Sequence, residues 1–382
     1  MAPPPKKLTL TRDTVGTVAR GHPWVYRDGV RGSAGVGEEV ELVDDRGKRV
    51  AWGLFEVGPI AVRVLDREVR SLAEVITERL AAATALRTLV GGETDTYRVC
   101  NGEGDGLGGL VVDRYADVAV VRLYSQVWER HLGLVVDAVR ALGWAASGYR
   151  RYGVARVDGR EGGVSLWGDE PPDGLVVREH GMRLLARVKV GQKTGLFLDQ
   201  REHRRLVREW SRGRKVTNLF SYNGGFSVAA ALGGATRVIS VDSAADAIED
   251  ARENFRLNGV DPDRHGFEVA DAFSWTGPQA DLLIVDPPSL AHAQEADTAA
   301  RKAYRDLHRH VAAASRGLVA TSSCTARIAW DRWEEAVREG LRPTGPWARV
   351  YVGAEPLDHP TGFAHPESRY LKFILLARSR RP

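Results

Sequence analysis

From about position 182 onward the chain alternates short apolar runs with longer stretches whose apolar residues recur three and four positions apart. The runs predict strands over 183–189, 215–220, 237–241, 266–269, 281–285, 316–321, 346–353 and 370–377. The helical spacing predicts helices over 200–211, 226–233, 244–258, 299–313 and 330–339. Strands and helices in that alternation make an α/β fold with a mostly parallel, doubly wound sheet. The last two strands are joined by an irregular segment over 353–369, which predicts an antiparallel pair at one side.

Upstream the pattern differs. Short alternating segments at 8–10, 15–18, 39–42, 50–54 and 60–65, broken by glycine-rich turns, read as a small β-barrel over 1–68. Residues 69–181 read as a central α+β domain, with a helix over 71–89, a polar turn over 97–107, strands at 109–113 and 118–124, and a helix over 127–142. Three domains are therefore expected: 1–68, 69–181 and 182–382.

Composition narrows the setting. The 382 residues are 43% hydrophobic and 27% charged, a globular balance. No apolar run approaches the roughly 18 residues of a membrane span. The start, Met-Ala-Pro-Pro-Pro-Lys-Lys, lacks a signal peptide's apolar core, so a cytoplasmic location is expected. Cys100 and Cys324 lie far apart and give no metal-ligand spacing, so no metal is expected. Cys100, beside a turn without a basic neighbour, reads as a structural thiol. A net charge of +4 permits an anionic partner.

Arginine placement says more than net charge. Arg201, Arg204, Arg205, Arg208 and Arg212 recur at helical spacing, as a solvated face or a phosphate-binding one would. In the barrel, Arg20-Gly21-His22-Pro23-Trp24-Val25-Tyr26 sets a rigid proline among aromatic and basic side chains. That mixture can stack on bases and pair with phosphate, or simply fill a small barrel.

The chemistry is concentrated where predicted strands end. Lys215 to Val228 carries an apolar strand into Ser221, Asn223, Gly224 and Gly225 and then into a helix, as a nucleotide-binding βαβ unit requires. The turn lacks the G-x-G-x-x-G spacing of pyrophosphate sites. A ligand with adenosine but no phosphate fits better, with Asp242 at the end of the next strand accepting both ribose hydroxyls; S-adenosylmethionine is such a ligand. Glycines serving helix–strand packing alone would read the same.

The following strands end in Asp271-Ala272-Phe273, in Asp286-Pro287-Pro288-Ser289 and in Thr321-Ser322-Ser323-Cys324. Two prolines after a strand-end acid hold an extended turn whose carbonyls lack partners in the chain. Such an acid and such carbonyls can grip the exocyclic amine of a planar base. Methylating carbon 5 of a pyrimidine also needs a nucleophile at carbon 6, and a thiol one strand from Asp286, roughly 5 Å across the sheet, would supply it. A packing cysteine is the alternative.

The chain resembles the bacterial 23S ribosomal RNA cytosine-5 methyltransferases of the large-subunit methyltransferase I type, S-adenosylmethionine enzymes with a PUA domain. R-G-H-P-W-V-Y, G-E-G-D-G-L-G-G-L-V-V-D-R-Y, G-Q-K-T-G-L-F-L-D-Q-R, N-L-F-S-Y-N-G-G-F, V-D-P-P-S, T-S-S-C, D-H-P and P-E-S-R-Y-L-K carry the resemblance over nearly the whole length. It implies that Gln192, Lys193, Thr194, Phe197, Asp199, Gln200 and Arg201 enclose the cofactor and entering base. It implies cofactor contacts at Phe220, Ser221, Asn223 and Gly224, at Asp242 with Ser243 on the ribose, at Asp271 with Ala272 near adenine, and at Asp286 with Pro287. Cys324 matches the family nucleophile, with Asp286 the second catalytic residue.

The first domain would then be an RNA-binding PUA module using His22 and Trp24, and Arg201, Arg204, Arg205 and Arg208 would meet phosphate. The implied partner is 23S ribosomal RNA, naked or as a precursor, and a homodimer is compatible with the chain. Two departures stand out. Asn223 replaces the usual threonine, and Leu290-Ala291-His292 follows the double proline where an aromatic and a basic residue are commoner. Methylation of a base nitrogen on the same fold, and an inactive RNA-binding assembly factor, are the rival readings.

Overall fold

The computed structural model describes residues 4–153, 155–159, 161–290 and 296–379. The chain divides into two compact units, one of residues 1–177, 186–198 and 357–368 and one of residues 178–185, 199–356 and 369–382.

In the first unit six strands form a sheet in the order Trp24–Tyr26, Ile60–Asp66, Arg49–Phe55, Glu39–Val43, Lys6–Leu10, Val30–Arg31. Leu8, Leu10, Val25, Val40, Leu42, Phe55 and Val62 alternate into one apolar core. The segment 15–18, expected as a strand, lies in the helix Arg12–Ala19. Val15 and Val18 are three apart and both pack on that core, a spacing only a helix can place on one face.

A second sheet runs Gly163–Trp167, Ser147–Arg151, Val118–Leu123, Leu110–Tyr115, Thr96–Asn101. The helices Leu72–Arg87 and Leu132–Ala141 pack against it through Val75, Ile76, Leu80, Val135 and Val139. Trp52, Leu54 and Leu65 of the first sheet share this core. The expected polar turn over 97–107 is a strand as far as Asn101, followed by a 3-10 turn over Gly102–Asp105. Its charges are satisfied across the ladder, Arg98 Nε donating to Asp113 Oδ1 at 2.8 Å, so the strand carries no apolar signature. The strands Ser147–Arg151 and Gly163–Trp167 were not expected, and Arg150, paired with Glu129 and Asp158 off the sheet, disguises the first. The helix expected over 127–142 begins as a 3-10 segment, Gln126–His131.

The second unit holds the doubly wound sheet. Its strands are β1 (Lys215–Leu219), β2 (Arg237–Asp242), β3 (Gly266–Val269), β4 (Ala280–Val285), β5 (Ser315–Ser323), β6 (Trp347–Gly353) and β7 (Lys372–Arg378). Its helices are α1 (Arg201–Trp210), α2 (Gly225–Leu232), α3 (Ala245–Leu257), α4 (Ala296–Val311) and α5 (Trp330–Leu341). The strand order is β3-β2-β1-β4-β5-β7-β6. β1 to β5 are parallel, and β7 runs antiparallel to both β5 and β6, as the expected pair requires.

Strands buried on both faces read as unbroken apolar runs, and Leu282 to Val285 are all at most 1% exposed. The order reverses between β1 and β4, so a crevice opens at their carboxyl ends. Among the described residues no helix is long and apolar enough to cross a membrane.

Candidate active site

Between β1 and α2 the backbone makes a strained turn. Phe220, Tyr222 and Gly224 have φ of 59°, 48° and 76°, and only the last is a glycine. A Cβ on Gly224 would lie 2.7 Å from the Cβ of Ala251, which holds α3 against the turn. Asn254, fully buried on α3, donates to the Asn223 carbonyl at 2.7 Å and accepts from the Leu185 amide at 2.7 Å. Asn223 in turn donates to the Leu185 carbonyl at 3.1 Å. The asparagine that departs from the usual threonine thus secures the turn, and Ser221 beside it is also buried.

Asp242 closes the turn from β2. Its Oδ2 accepts from the Tyr222 amide at 2.8 Å and its Oδ1 from the Ala244 amide at 3.0 Å. An ionised carboxylate has about four acceptor positions, so two remain for paired hydroxyls. Ser243 sits exposed between these contacts. Asp271 Oδ1 accepts from the Phe273 amide at 3.0 Å, with Ala272 buried between them. Phe273 is 42% exposed and meets Phe220 edge-on, centroids 5.1 Å apart, leaving an aromatic surface for a planar base.

A cation packed beside the turn is already spent. Arg204 packs beside Gly225 and is held by Glu179 through bonds of 2.7 and 2.6 Å, both side chains buried. A hydroxyl-accepting acid, an aromatic wall and a neutralised arginine suit adenosine without phosphate. The donor set therefore fits S-adenosylmethionine.

At the ends of β4 and β5 the register sets the reactive groups. Val285 pairs with Thr321, so Asp286 faces Ser322, and Cys324 lies two residues beyond. Ser322 Oγ donates to Asp286 Oδ1, and Gln200 Nε2 donates to the same oxygen at 3.1 Å. Behind Gln200, His203 Nδ1 donates to Oε1 at 2.6 Å, its ring stacked on Phe373 with centroids 4.1 Å apart. Burial holds His203 neutral, near 4, and so fixes that orientation. Burial also lifts the Asp286 carboxyl to about 6; the Ser322 hydrogen bond opposes the rise and the charge of Asp199 adds to it. Asp199 accepts from the Tyr370 hydroxyl at 2.8 Å. Pro287 is buried.

Cys324 is partly exposed, whereas Cys100 is fully buried with its thiol pushed up by desolvation. Lys372, on β7, is buried with its ammonium on the Thr325 carbonyl at 2.7 Å. Burial lowers its pKa, while Glu355 and Cys324 act to raise it. Tyr304 donates to Ser323 Oγ at 2.8 Å and steadies the end of β5. Sequence reasoning did not single out Lys372, Ser322, His203 or Tyr304. The first two lie inside the quoted P-E-S-R-Y-L-K and T-S-S-C motifs, and nothing local marks the others.

Four of the expected residues lie in the first unit, and the arginine helix differs from its expectation. Gln192, Lys193, Thr194 and Phe197 belong to the first unit. There Thr194 donates to Asp113 Oδ2 at 2.6 Å and meets Tyr115 Oη at 3.0 Å, and Lys193 adopts φ of 57°. The arginine helix is not one solvated face. Arg201 and Arg204 are buried, Arg208 Nη1 donates to the His180 carbonyl at 3.3 Å, and Arg205 pairs with Glu202 and Glu209. Ala291 and His292 lie outside the described residues.

The sequence profile of S-adenosylmethionine-dependent methyltransferases matches residues 106–338, and that of the PUA-like domain matches residues 8–67. A methyltransferase crystallised with SAH superposes with a TM-score of 0.87 over 97% of this chain and 100% of its own, at 24% identity. Fold and site together define a class I S-adenosylmethionine-dependent methyltransferase with an N-terminal PUA-like domain. The chain is 39% identical over 399 aligned positions to a ribosomal RNA large subunit methyltransferase of Deinococcus radiodurans, covering 98% of this chain and 97% of that one. It is 32% identical to ribosomal RNA large subunit methyltransferase I of Cronobacter sakazakii, covering 96% and 98%. The chain belongs to the family of ribosomal RNA large subunit methyltransferases.

Truncating Asn254 to alanine leaves the Leu185 amide and the Asn223 carbonyl without partners. Urea unfolding should show a loss of about 2–4 kcal/mol, with SAH affinity reduced by calorimetry. Unchanged stability and affinity would show that the turn holds itself.

Proposed function

We propose that this protein methylates carbon 5 of a cytosine in large-subunit ribosomal RNA, through a covalent adduct on Cys324. One observation carries the reading: β4 and β5 end side by side, with a half-buried acid just past one and a partly exposed thiol just past the other. The names of the relatives support the RNA, and the PUA-like domain supports a nucleic-acid partner.

The chemistry follows from the residues. When bound, S-adenosylmethionine supplies an electrophilic methyl on sulfur. The Cys324 thiolate adds to carbon 6 of the pyrimidine, and the electron pair of the carbon 5–carbon 6 bond moves to make carbon 5 nucleophilic. After methylation, transfer of the carbon 5 proton to a water molecule restores that bond and expels the thiolate. Asp286 accepts from the cytosine exocyclic amine as a carboxylate. The base must be unpaired or flipped out, because carbon 6 is closed within a stack. Lys372 holds charge near the sulfur, and His203 and Gln200 fix the acid.

Cys324→Ser should abolish transfer to RNA while calorimetry shows SAH binding unchanged. Turnover surviving in that variant overturns the covalent step, and a methylated base nitrogen in the nucleoside digest overturns the cytosine assignment. With Asp286 titrating at about 6, kcat/KM should fall as pH drops below that value, and Asp286→Asn should lose this limb along with about a hundredfold or more of the rate.

Stability should move the other way. A carboxyl raised in the folded state contributes stability at low pH that is lost as pH rises from the unfolded value through about 6. Asp286→Asn should therefore be at least as resistant to urea as the parent at pH 8. A strongly destabilised variant at that pH would show that the carboxylate is structural.

A further inference from the structure

In the first unit, far along the chain from the thiols, three ligand-type side chains converge. His22 Nε2 lies 3.5 Å from Glu367 Oε2, His365 Nε2 lies 3.7 Å from the same oxygen, and the three donor atoms are all within 4.8 Å of one another. We propose that His22, His365 and Glu367 form a binding site for a single divalent cation of the zinc type, which pins the segment 357–368 to the N-terminal barrel.

His365 points most directly to a missing partner. The residue is 2% exposed, and neither of its ring nitrogens has a hydrogen bond. Buried imidazoles without partners are rare, because both nitrogens give up water for nothing. The place of His365 is set locally, its own amide donating to the Gly362 carbonyl at 3.0 Å while Ser368 Oγ donates to its carbonyl at 2.6 Å.

His22 is prepared in the complementary way. Its Nδ1 lies 3.0 Å from the Trp24 carbonyl. The Trp24 amide lies 3.2 Å from the same nitrogen; in the tautomer that carries its proton on Nδ1 and donates it to the carbonyl, the lone pair of Nε2 faces Glu367, the outer-sphere arrangement of metal-bound histidines. Two imidazole lone pairs and a carboxylate oxygen then point at one place, which calls for positive charge between them. Ligand atoms in a tetrahedral zinc site with bonds of about 2.0–2.1 Å stand roughly 3.3 Å apart, so modest contraction suffices.

The surroundings favour an ion over a free proton exchange with solvent. Trp24 covers His365 at a centroid distance of 4.2 Å, and His22 meets it edge-on at 5.4 Å. Trp24 spends its own Nε1–H on Glu103 at 2.9 Å. Arg63, the neighbouring cation, is neutralised by Glu56 at 2.7 Å and Glu103 at 2.5 Å. Glu367, with its side chain 42% exposed, leaves the solvent side open for a fourth ligand. Two nitrogens and one carboxylate oxygen select zinc or a borderline neighbour over magnesium or calcium. His22, expected to read RNA, is a ligand of this cluster and Trp24 packs on it. No spacing rule could show it, because the donors come from opposite ends of the chain.

The test uses the full chain, free of any histidine tag, with zinc as the probe. Competition against a chromogenic chelator should show one zinc per chain. His365→Gln and Glu367→Gln should each weaken it by at least about tenfold, while Cys324→Ser leaves it unchanged. Cobalt substitution should give visible d–d bands without a thiolate charge-transfer band. SAH binding by each variant reports that the fold is intact. No binding at micromolar zinc, or equal binding by both glutamine variants, overturns the site; the second result would mean surface zinc only.

Discussion

The active centre rests on one constraint, the register in which Leu282–Val285 of β4 pair with Leu318–Thr321 of β5. Because Val285 sits opposite Thr321, the first residue past β4 meets the hydroxyl of Ser322, and one further residue, Ser323, separates that hydroxyl from the thiol of Cys324. A one-residue slip would turn each side chain to the opposite face and separate acid from sulfur. Apolar packing locks the register: Leu283, Val285 and Val319 share a core with Tyr304, Leu307 and Trp333 of the covering helices.

Charge is distributed to serve that pair. Asp286 receives its hydrogen bonds from Ser322 and Gln200, both neutral, so it stays half-buried with a raised pKa instead of being fixed by a salt bridge. Arg204, which could have neutralised it, is held by Glu179. A carboxyl poised near 6 can serve a base that offers a proton donor; a carboxylate already locked to arginine could not. Lys372, the one buried ammonium beside the thiol among the described residues, is likewise held by carbonyl oxygens rather than by an acid, so its charge remains available to the sulfur.

Much of this was legible in the sequence. Period and turn residues place all seven strands and five helices of the large sheet within a few positions, because parallel strands buried on both faces are unbroken apolar runs. The strand-end residues Asp242, Asp271, Asp286 and Cys324 follow from the same reading. The illegible parts share one cause, the satisfaction of polar groups by distant partners. Arg98 hides a strand because its charge is cancelled across a ladder, and Arg150 hides another because Glu129 and Asp158, off the sheet, cancel its charge. Arg204 looked like a surface cation because Glu179, its buried partner, lies far upstream. His203 and Gln200 support Asp286 through a relay that no local pattern encodes.

The most direct measurement is to trap the adduct. RNA carrying 5-fluorocytidine cannot lose the carbon 5 substituent as a proton, so elimination stops and the enzyme stays attached. With S-adenosylmethionine present, the parent protein should form a denaturation-resistant complex whose peptide mass maps to Cys324, and the Cys324→Ser variant should form none. Methylated product without any trapped complex, or a complex that persists in the serine variant, would contradict the account.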